Sequence, residues 1–161
     1  MEFDKAKWLF PIIMTFHNLE EAIFLPAWLK SHSVLLKFTP PSPTAFSFAV
    51  LVITILAYLV TVICHRFGNI GFFLYLLLGF CFSMLVNAFI PHILASIVLK
   101  SYTPGVVTGI LLNLPVAVYL IVAGFNELKI SKKEFVLSSF GVTLVLMVLI
   151  PILFKLGEYW S

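Results

Sequence analysis

Charged side chains are scarce in this chain. They make up 11% of its 161 residues, whereas soluble domains carry about 25%. Hydrophobic residues account for 61%, so too few polar side chains remain to cover the outside of a water-soluble protein of this size. The composition excludes an ordinary soluble domain and predicts that the surplus apolar surface faces membrane lipids.

A basic face is also absent. The formal net charge is only +3, and the lysines are scattered through short loops, whereas nucleic-acid binding needs a clustered basic face or stripe. We therefore expect no nucleic-acid partner. The sequence also lacks internal repeats, low-complexity tracts and any segment typical of a soluble domain.

Cysteines and processing signals are few. Cys64 and Cys81 are the only two cysteines. Both lie in apolar segments without the spacing of a metal or redox motif, so we expect them to be buried as small hydrophobic residues. No small-residue cleavage site follows the apolar stretch after Lys5 and Lys7. We interpret that stretch as a retained first helix and not as a removed leader peptide.

Five apolar stretches have the length of about 20 residues that a membrane-spanning helix needs. The third is too long for one straight crossing, and Pro91 inside it predicts a kink near Phe89 and Ile90. The sequence therefore predicts one all-α domain over residues 1–161, a polytopic membrane helical bundle with a kinked third helix. The expected spans are Lys7–Leu29, Thr44–Cys64, Ile70–Leu99, Pro104–Phe125 and Glu134–Phe154.

The distribution of lysine and arginine predicts the orientation of the bundle in its membrane. With five spans, the N-terminal side has six of these residues and the opposite side has four, which favours a cytoplasmic N-terminus. The N-terminal side carries Lys5, Lys7, Arg66, Lys129, Lys132 and Lys133, and the other side carries Lys30, Lys37, Lys100 and Lys155.

A polar cluster interrupts the first stretch at residues 17–21. A carboxylate inside a membrane costs at least about 2.5–3.5 kcal/mol, so it rarely occurs without a task. No lysine or arginine lies inside a predicted span to pair with it. On a helix, His17 neighbours both Glu20 and Glu21, and imidazole and carboxylate are ordinary zinc ligands. We expect His17 and Glu21 to bind a divalent metal such as zinc, and Glu20 to act as general base.

Further polar residues lie at a matching depth in the third and fourth spans. The kink at Pro91 widens the space between helices, and Asn87 and His92 flank it. We expect His92 to be the third metal ligand and Asn87 to be catalytic. Residues at and after the following turn are expected to bind substrate, namely Tyr102, Thr108 and Asn113.

These motifs resemble those of the bacterial HXXEE-motif integral membrane proteins. The resemblance rests on residues 17–21 with Pro26-Ala27-Trp28, on Asn87 with His92, and on Tyr102-Thr103-Pro104-Gly105. It extends from about Trp8 to Asn126. It implies a small multi-helix bacterial membrane protein in which His17, Glu20, Glu21 and His92 are functional, and it implies no particular reaction.

Four functions remain open at this stage. The leading hypothesis is a metal-dependent membrane hydrolase acting on a lipid or hydrophobic small molecule. A metal-free variant would transfer protons, as an isomerase does. A proton-coupled transporter is a third alternative, although five helices without inverted repeats would then need a homo-oligomer. The fourth is a non-catalytic accessory protein in which the cluster is a structural network.

Overall fold

The computed structural model describes residues 2–36 and 39–160, and within these ranges every regular element is helical. The predicted all-α bundle of five long helices is confirmed. Its elements are α1 (Phe3–Ala6), α2 (Leu9–Leu36), α3 (Pro43–Arg66), α4 (Gly71–Asn87), a kinked segment (Ala88–Ile93), α5 (Leu94–Leu99), α6 (Val106–Thr108), a wide turn (Gly109–Asn113), α7 (Leu114–Glu127), α8 (Lys132–Gly157) and a final short turn (Glu158–Trp160).

Four helices of the described chain are long and apolar enough to cross a membrane. They are Pro43–Arg66, Gly71–Leu99, Val106–Glu127 and Lys132–Trp160. Helix α2 has comparable length, and its polar residues 17–21 lower its hydropathy below that of the other four. It packs against α3 and against the wide turn before α7. Large apolar side chains are exposed around the bundle, as expected for a lipid-facing surface, including Val34, Phe72, Leu137, Phe140 and Met147.

Local sequence signals explain where the helices begin. The Ser42 side chain accepts a hydrogen bond from the Ala45 amide at 3.2 Å, and Pro43 occupies the first helical turn of α3. Ser131 accepts from the Glu134 amide at 3.5 Å at the start of α8. Serine oxygens satisfy amides that have no partner inside the helix, and proline suits the first turn. Helix α3 therefore begins at Pro43, one residue before the start of the predicted span at Thr44.

Pro91 produces the predicted kink. Ile90 has φ −130° and ψ 113°, outside the helical region, between α4 and α5. Proline disfavours helical geometry in the residue before it. A second irregularity is the wide turn Gly109–Asn113, where π-type bonding replaces α-helical bonding. Pro115 lies two residues after it and lacks the amide hydrogen that would bond back to Leu111.

Helix α4 forms the centre of the bundle and packs against α3, α7 and α8. Its side chains Leu77, Leu78 and Cys81 are fully buried. Cys64 is also buried, and both cysteines are free thiols, so the expectation for them is confirmed. Because α4 is held on three sides, its C-terminal end provides a fixed support for Asn87 and His92.

The N-terminal segment is tied into the bundle by a polar network that the sequence did not suggest. Lys7 is 0% exposed and donates to Asp4 at 2.6 Å and to Asn69. The Phe3 amide donates to Glu127 at 2.9 Å. Hydrogen bonds from Lys7 and Asn69 hold the pKa of the Asp4 carboxyl well below its usual range. Lys7, counted above as a loop charge, is thus a buried structural residue.

Candidate metal centre

Three side chains that the sequence singled out as metal ligands meet in the interior of the bundle. His17 and Glu21 come from α2, and His92 comes from the kinked segment. Glu21 Oε1 lies 2.8 Å from His92 Nε2 and 3.6 Å from His17 Nε2. All three residues are buried, and one ligand atom from each lies within 4.8 Å of the others. Ligand atoms around a tetrahedral zinc ion lie roughly 3.3–3.6 Å apart. The separation between Glu21 and His17 matches this range, whereas the Glu21–His92 contact is a hydrogen-bond distance and would have to widen by about 0.5 Å to hold such an ion.

The local fold explains this convergence. A spacing of four residues places His17 and Glu21 on one face of α2. The kink at Pro91 carries His92 out of the axis of α4 toward that face. Gly105, with φ +93°, lies against the His92 ring, where a Cβ atom would be only 2.5 Å from Cε1. Both the positive φ angle and the lack of space for a Cβ atom therefore require a glycine at position 105.

Asn87 lies between the two imidazoles. Its Nδ2 is 3.1 Å from His17 Nε2 and 3.3 Å from His92 Nε2. The amide therefore contacts the same nitrogen atoms that would bind a metal. This places Asn87 beside any ligand bound at the cluster.

Thr108 connects His17 to Glu20. The Thr108 hydroxyl donates to Glu20 Oε2 at 2.6 Å, so its oxygen can only accept from His17 Nδ1, at 2.8 Å. The proton of a neutral His17 ring is then on Nδ1, and the lone pair of Nε2 can accept from Asn87 Nδ2. Metal-binding histidines are commonly oriented by such a bond from the other ring nitrogen.

Glu20 is held at the start of the fourth long helix. Its Oε1 accepts from the Tyr102 hydroxyl and from the Gly105 amide at 2.9 Å, and its Oε2 accepts from the Thr108 amide at 3.0 Å as well as from the hydroxyl. These backbone amides have no partner within the helix, so Glu20 caps it from a neighbouring helix. Partial loss of water around the phenol raises the pKa of Tyr102, and the neighbouring Glu20 carboxylate adds to the increase, which brings the pKa to about 12. The hydroxyl therefore remains a donor.

Of the three predicted substrate-binding residues, only Thr108 contacts the cluster, through His17 Nδ1. Tyr102 and Thr108 bond to Glu20. Asn113 is buried in the wide turn, and its side-chain nitrogen and oxygen have no hydrogen-bond partner within the described ranges. None of the three lines the cavity that adjoins Glu21 and His92. Their assignment to substrate stays a prediction, as does the role of Glu20 as general base.

The cavity has a volume of about 170 Å³ and reveals residues that sequence reasoning missed. Asn18 lines it and donates to Val50 O at 3.1 Å and to Thr54 Oγ1 at 2.7 Å on α3. The position of Asn18 within the polar cluster at residues 17–21 could have indicated from the sequence that it lies near the site. The apolar lining residues, such as Met14, Ala49 and Met84, are indistinguishable from ordinary core residues in the sequence.

The cluster coincides with the motif that defines a protein family. A family model described as "Protein of unknown function with HXXEE motif" matches residues 8–120. The chain belongs to this family. The matched range includes every residue of the cluster and ends before α8. The chain is also similar to the uncharacterized protein YrkK of Bacillus subtilis (strain 168), with 42% identity over 158 residues, covering 92% of this chain and 93% of the relative. No solved structure matches.

Proposed function

We propose that this protein is a metal-dependent membrane hydrolase that acts on a hydrophobic small molecule or lipid. The observation that carries the proposal is the buried set of His17, Glu21 and His92, with ligand atoms within 4.8 Å of one another. Within the described residues, Glu21 lies within 4 Å of these two histidines, and no lysine or arginine forms a salt bridge with it. A divalent cation such as zinc would neutralise the buried carboxylate and would offset part of its cost in the membrane.

The donor set supports a catalytic ion better than a structural one. Three protein ligands leave a fourth position for water or substrate, and a metal there would supply Lewis acidity and a water that ionises near neutral pH. Thr108 and Glu20 orient His17. Asn87, whose amide touches both imidazoles, would donate to an oxygen of the substrate. Glu20 already accepts four hydrogen bonds, which favours positioning over proton transfer.

A second function has one specific observation in its favour. Glu21 and His92 are in direct contact at 2.8 Å, and a carboxylate beside an imidazole can transfer protons without a metal. Such an isomerase would keep its activity in the presence of chelators, whereas the hydrolase would lose it. A proton-coupled transporter would instead show proton-dependent flux and a homo-oligomer in native mass measurements, and an accessory protein would show neither.

Metal analysis of the purified protein tests the proposal directly. We expect one zinc ion per chain in the wild type, and loss of it in His17→Ala, Glu21→Gln and His92→Ala. His32→Ala is the matched control, because His32 lies on the same helix and bonds only to nearby Trp28 and Ser31. Equal and negligible metal in all five proteins would refute the metal role. Hydrolysis of a short-chain acyl ester, abolished by a chelator and restored by zinc, would support the reaction class.

We further propose that the N-terminus is cytoplasmic. The excess of lysine and arginine on that side supports this orientation, although Lys37 lies outside the described residues. At a rise of 1.5 Å per residue, His17 and Glu21 lie roughly 12 and 18 Å from the start of α2, near the middle of a membrane core of about 30 Å. The orientation can be tested by the accessibility of single cysteines introduced at Lys132 and at Lys100, which are expected on opposite sides of the membrane.

A further inference from the structure

The cavity beside the cluster has one polar wall, one further polar side chain, that of Asn18, and otherwise apolar walls. Glu21, Asn87 and His92 form the polar wall. The remaining surface comes from four helices, α2, α3, α4 and α8, and includes Met14, Leu25, Phe46, Ala49, Ile53 and Met84. The arrangement is that of a small-molecule site, where a few polar groups fix the orientation of a ligand and apolar side chains surround the rest.

The volume indicates how much of a ligand this partly open cavity can surround. An apolar cavity of about 150 Å³ in another protein holds one benzene molecule, and the present cavity measures about 170 Å³. A compact group of about six carbon atoms would fill it. Two hydrogen bonds from the Asn18 amide, to Val50 O and Thr54 Oγ1, fix α2 to α3. The walls on these two helices therefore cannot easily separate to admit a bulkier group.

We propose that this cavity binds the apolar part of the substrate, and that the substrate class is a small molecule whose reactive polar group adjoins a compact apolar group of benzene size. The polar group would lie against Glu21, Asn87 and His92, and the apolar group would lie beside Met14, Ala49 and Met84. This inference deepens the proposed function and rests on it for the reaction, whereas binding in the cavity can be measured with or without a metal.

Methionine methyl groups provide a direct probe. Met14 and Met84 line the cavity, whereas Met147 is 68% exposed on α8. With carbon-13 methyl methionine in the full-length protein, titration with benzyl alcohol should shift the Met14 and Met84 signals in a saturable way. Met147 should report only the linear effect of the alcohol dissolving in the surrounding detergent.

Filling the cavity should remove the saturable shifts. Ala49 is 1% exposed and lines the cavity, so Ala49→Phe should weaken benzyl alcohol binding at least about tenfold. Ala27→Phe adds the same group at an exposed position of α2 and should bind like the wild type. If Ala49→Phe does not fold, Ala49→Val applies the same test with a smaller addition, and the expected weakening is about threefold.

The outcomes separate this inference from the metal proposal. Saturable shifts that Ala49→Phe or Ala49→Val weakens and Ala27→Phe retains would support the pocket, even if the protein holds no zinc. Linear shifts of equal size at all three methionines in the wild type would overturn the pocket and leave the zinc result unaffected. Saturable shifts that the Ala49 variants do not change would also overturn it, because the ligand would then bind elsewhere.

Discussion

Gly105 lies directly against the imidazole of His92. A methyl group on Gly105 would come within 2.5 Å of Cε1 and 2.7 Å of Nδ1, and the φ angle of +93° is unfavourable for any residue with a side chain. The turn between the third and fourth long helices thereby fixes the ring of one proposed metal ligand. The same turn and the start of α6 supply the Gly105 and Thr108 amides that hold Glu20. One short segment therefore positions both His92 and Glu20.

Gly105→Ala should displace His92. We expect a loss of stability of about 1–3 kcal/mol from backbone strain and overpacking, together with about 10–100-fold weaker zinc binding, as when the support of a ligand is lost. Zinc affinity from chelator competition and the thermal unfolding midpoint in detergent are the measurements. Gly141→Ala is the control, since a Cβ there meets nothing within 4 Å. Wild-type affinity in Gly105→Ala would contradict the role of this contact.

Thr108→Val should weaken metal binding without preventing folding. The substitution keeps the shape of the side chain and removes the hydroxyl that joins His17 to Glu20. Zinc affinity should fall about 10–100-fold, and Thr108→Ser should restore most of it. Thr61→Val, which removes a buried hydroxyl bonded only within its own helix, should leave the affinity unchanged. If Thr108→Val binds zinc like the wild type, Thr108 is not a positioning residue.

Glu20→Gln should mainly lower the stability of the protein, whereas Glu21→Gln should mainly abolish zinc binding. Glu20→Gln brings an amide group against four donors, and we expect a loss of about 2–3 kcal/mol of stability because some donors are left unpaired. Glu21→Gln removes a metal ligand and a buried carboxylate that forms no salt bridge with a lysine or arginine among the described residues, so it should abolish zinc binding and leave the apo protein as stable as the wild type or more so. Unfolding in detergent and zinc stoichiometry measure the two effects. Identical behaviour of the two variants would refute the division of roles.

Acidic pH should weaken the N-terminal network through Asp4. The pKa of Asp4 is lower in the folded protein than in the unfolded chain, where it is about 3.9. Its contribution to stability is therefore complete above the unfolded value and is lost as the pH falls from there toward the folded value. The unfolding midpoint should drop more steeply below about pH 4 in the wild type than in Asp4→Asn. Equal acid sensitivity of both proteins would contradict this role.

Much of the fold follows from the sequence because hydrophobic length and proline placement act locally. The spans, the kink before Pro91 and the closeness of His17 to Glu21 need only helix geometry and the conformational limits of proline. The contact between α2 and His92 was expected from matching depth in the membrane, which is a weaker constraint. The structure nevertheless places Glu21 Oε1 2.8 Å from His92 Nε2.

The remaining features depend on contacts between distant segments. The role of Glu20 as a cap could not be predicted, because its donors at Gly105 and Thr108 are more than 80 residues away. The burial of Lys7 was missed for the same reason, since Asn69 belongs to another turn. The cavity is formed by residues from four helices, and no local pattern marks a position where packing leaves a gap.

The wide turn Gly109–Asn113 has a consequence for changes in chain length. A π-type turn accommodates one residue more than an α-helix does over the same rise. Deleting a single codon within 109–113 would remove that extra residue and let the segment adopt ordinary α-helical bonding. The orientation of α7 would then be kept, and Ala117 and Leu120, both fully buried, would keep their partners. In a deletion scan of this gene, we expect the loss of one residue to be tolerated better within 109–113 than within Leu114–Glu127, where it would rotate the preceding and following side chains by about 100° relative to each other.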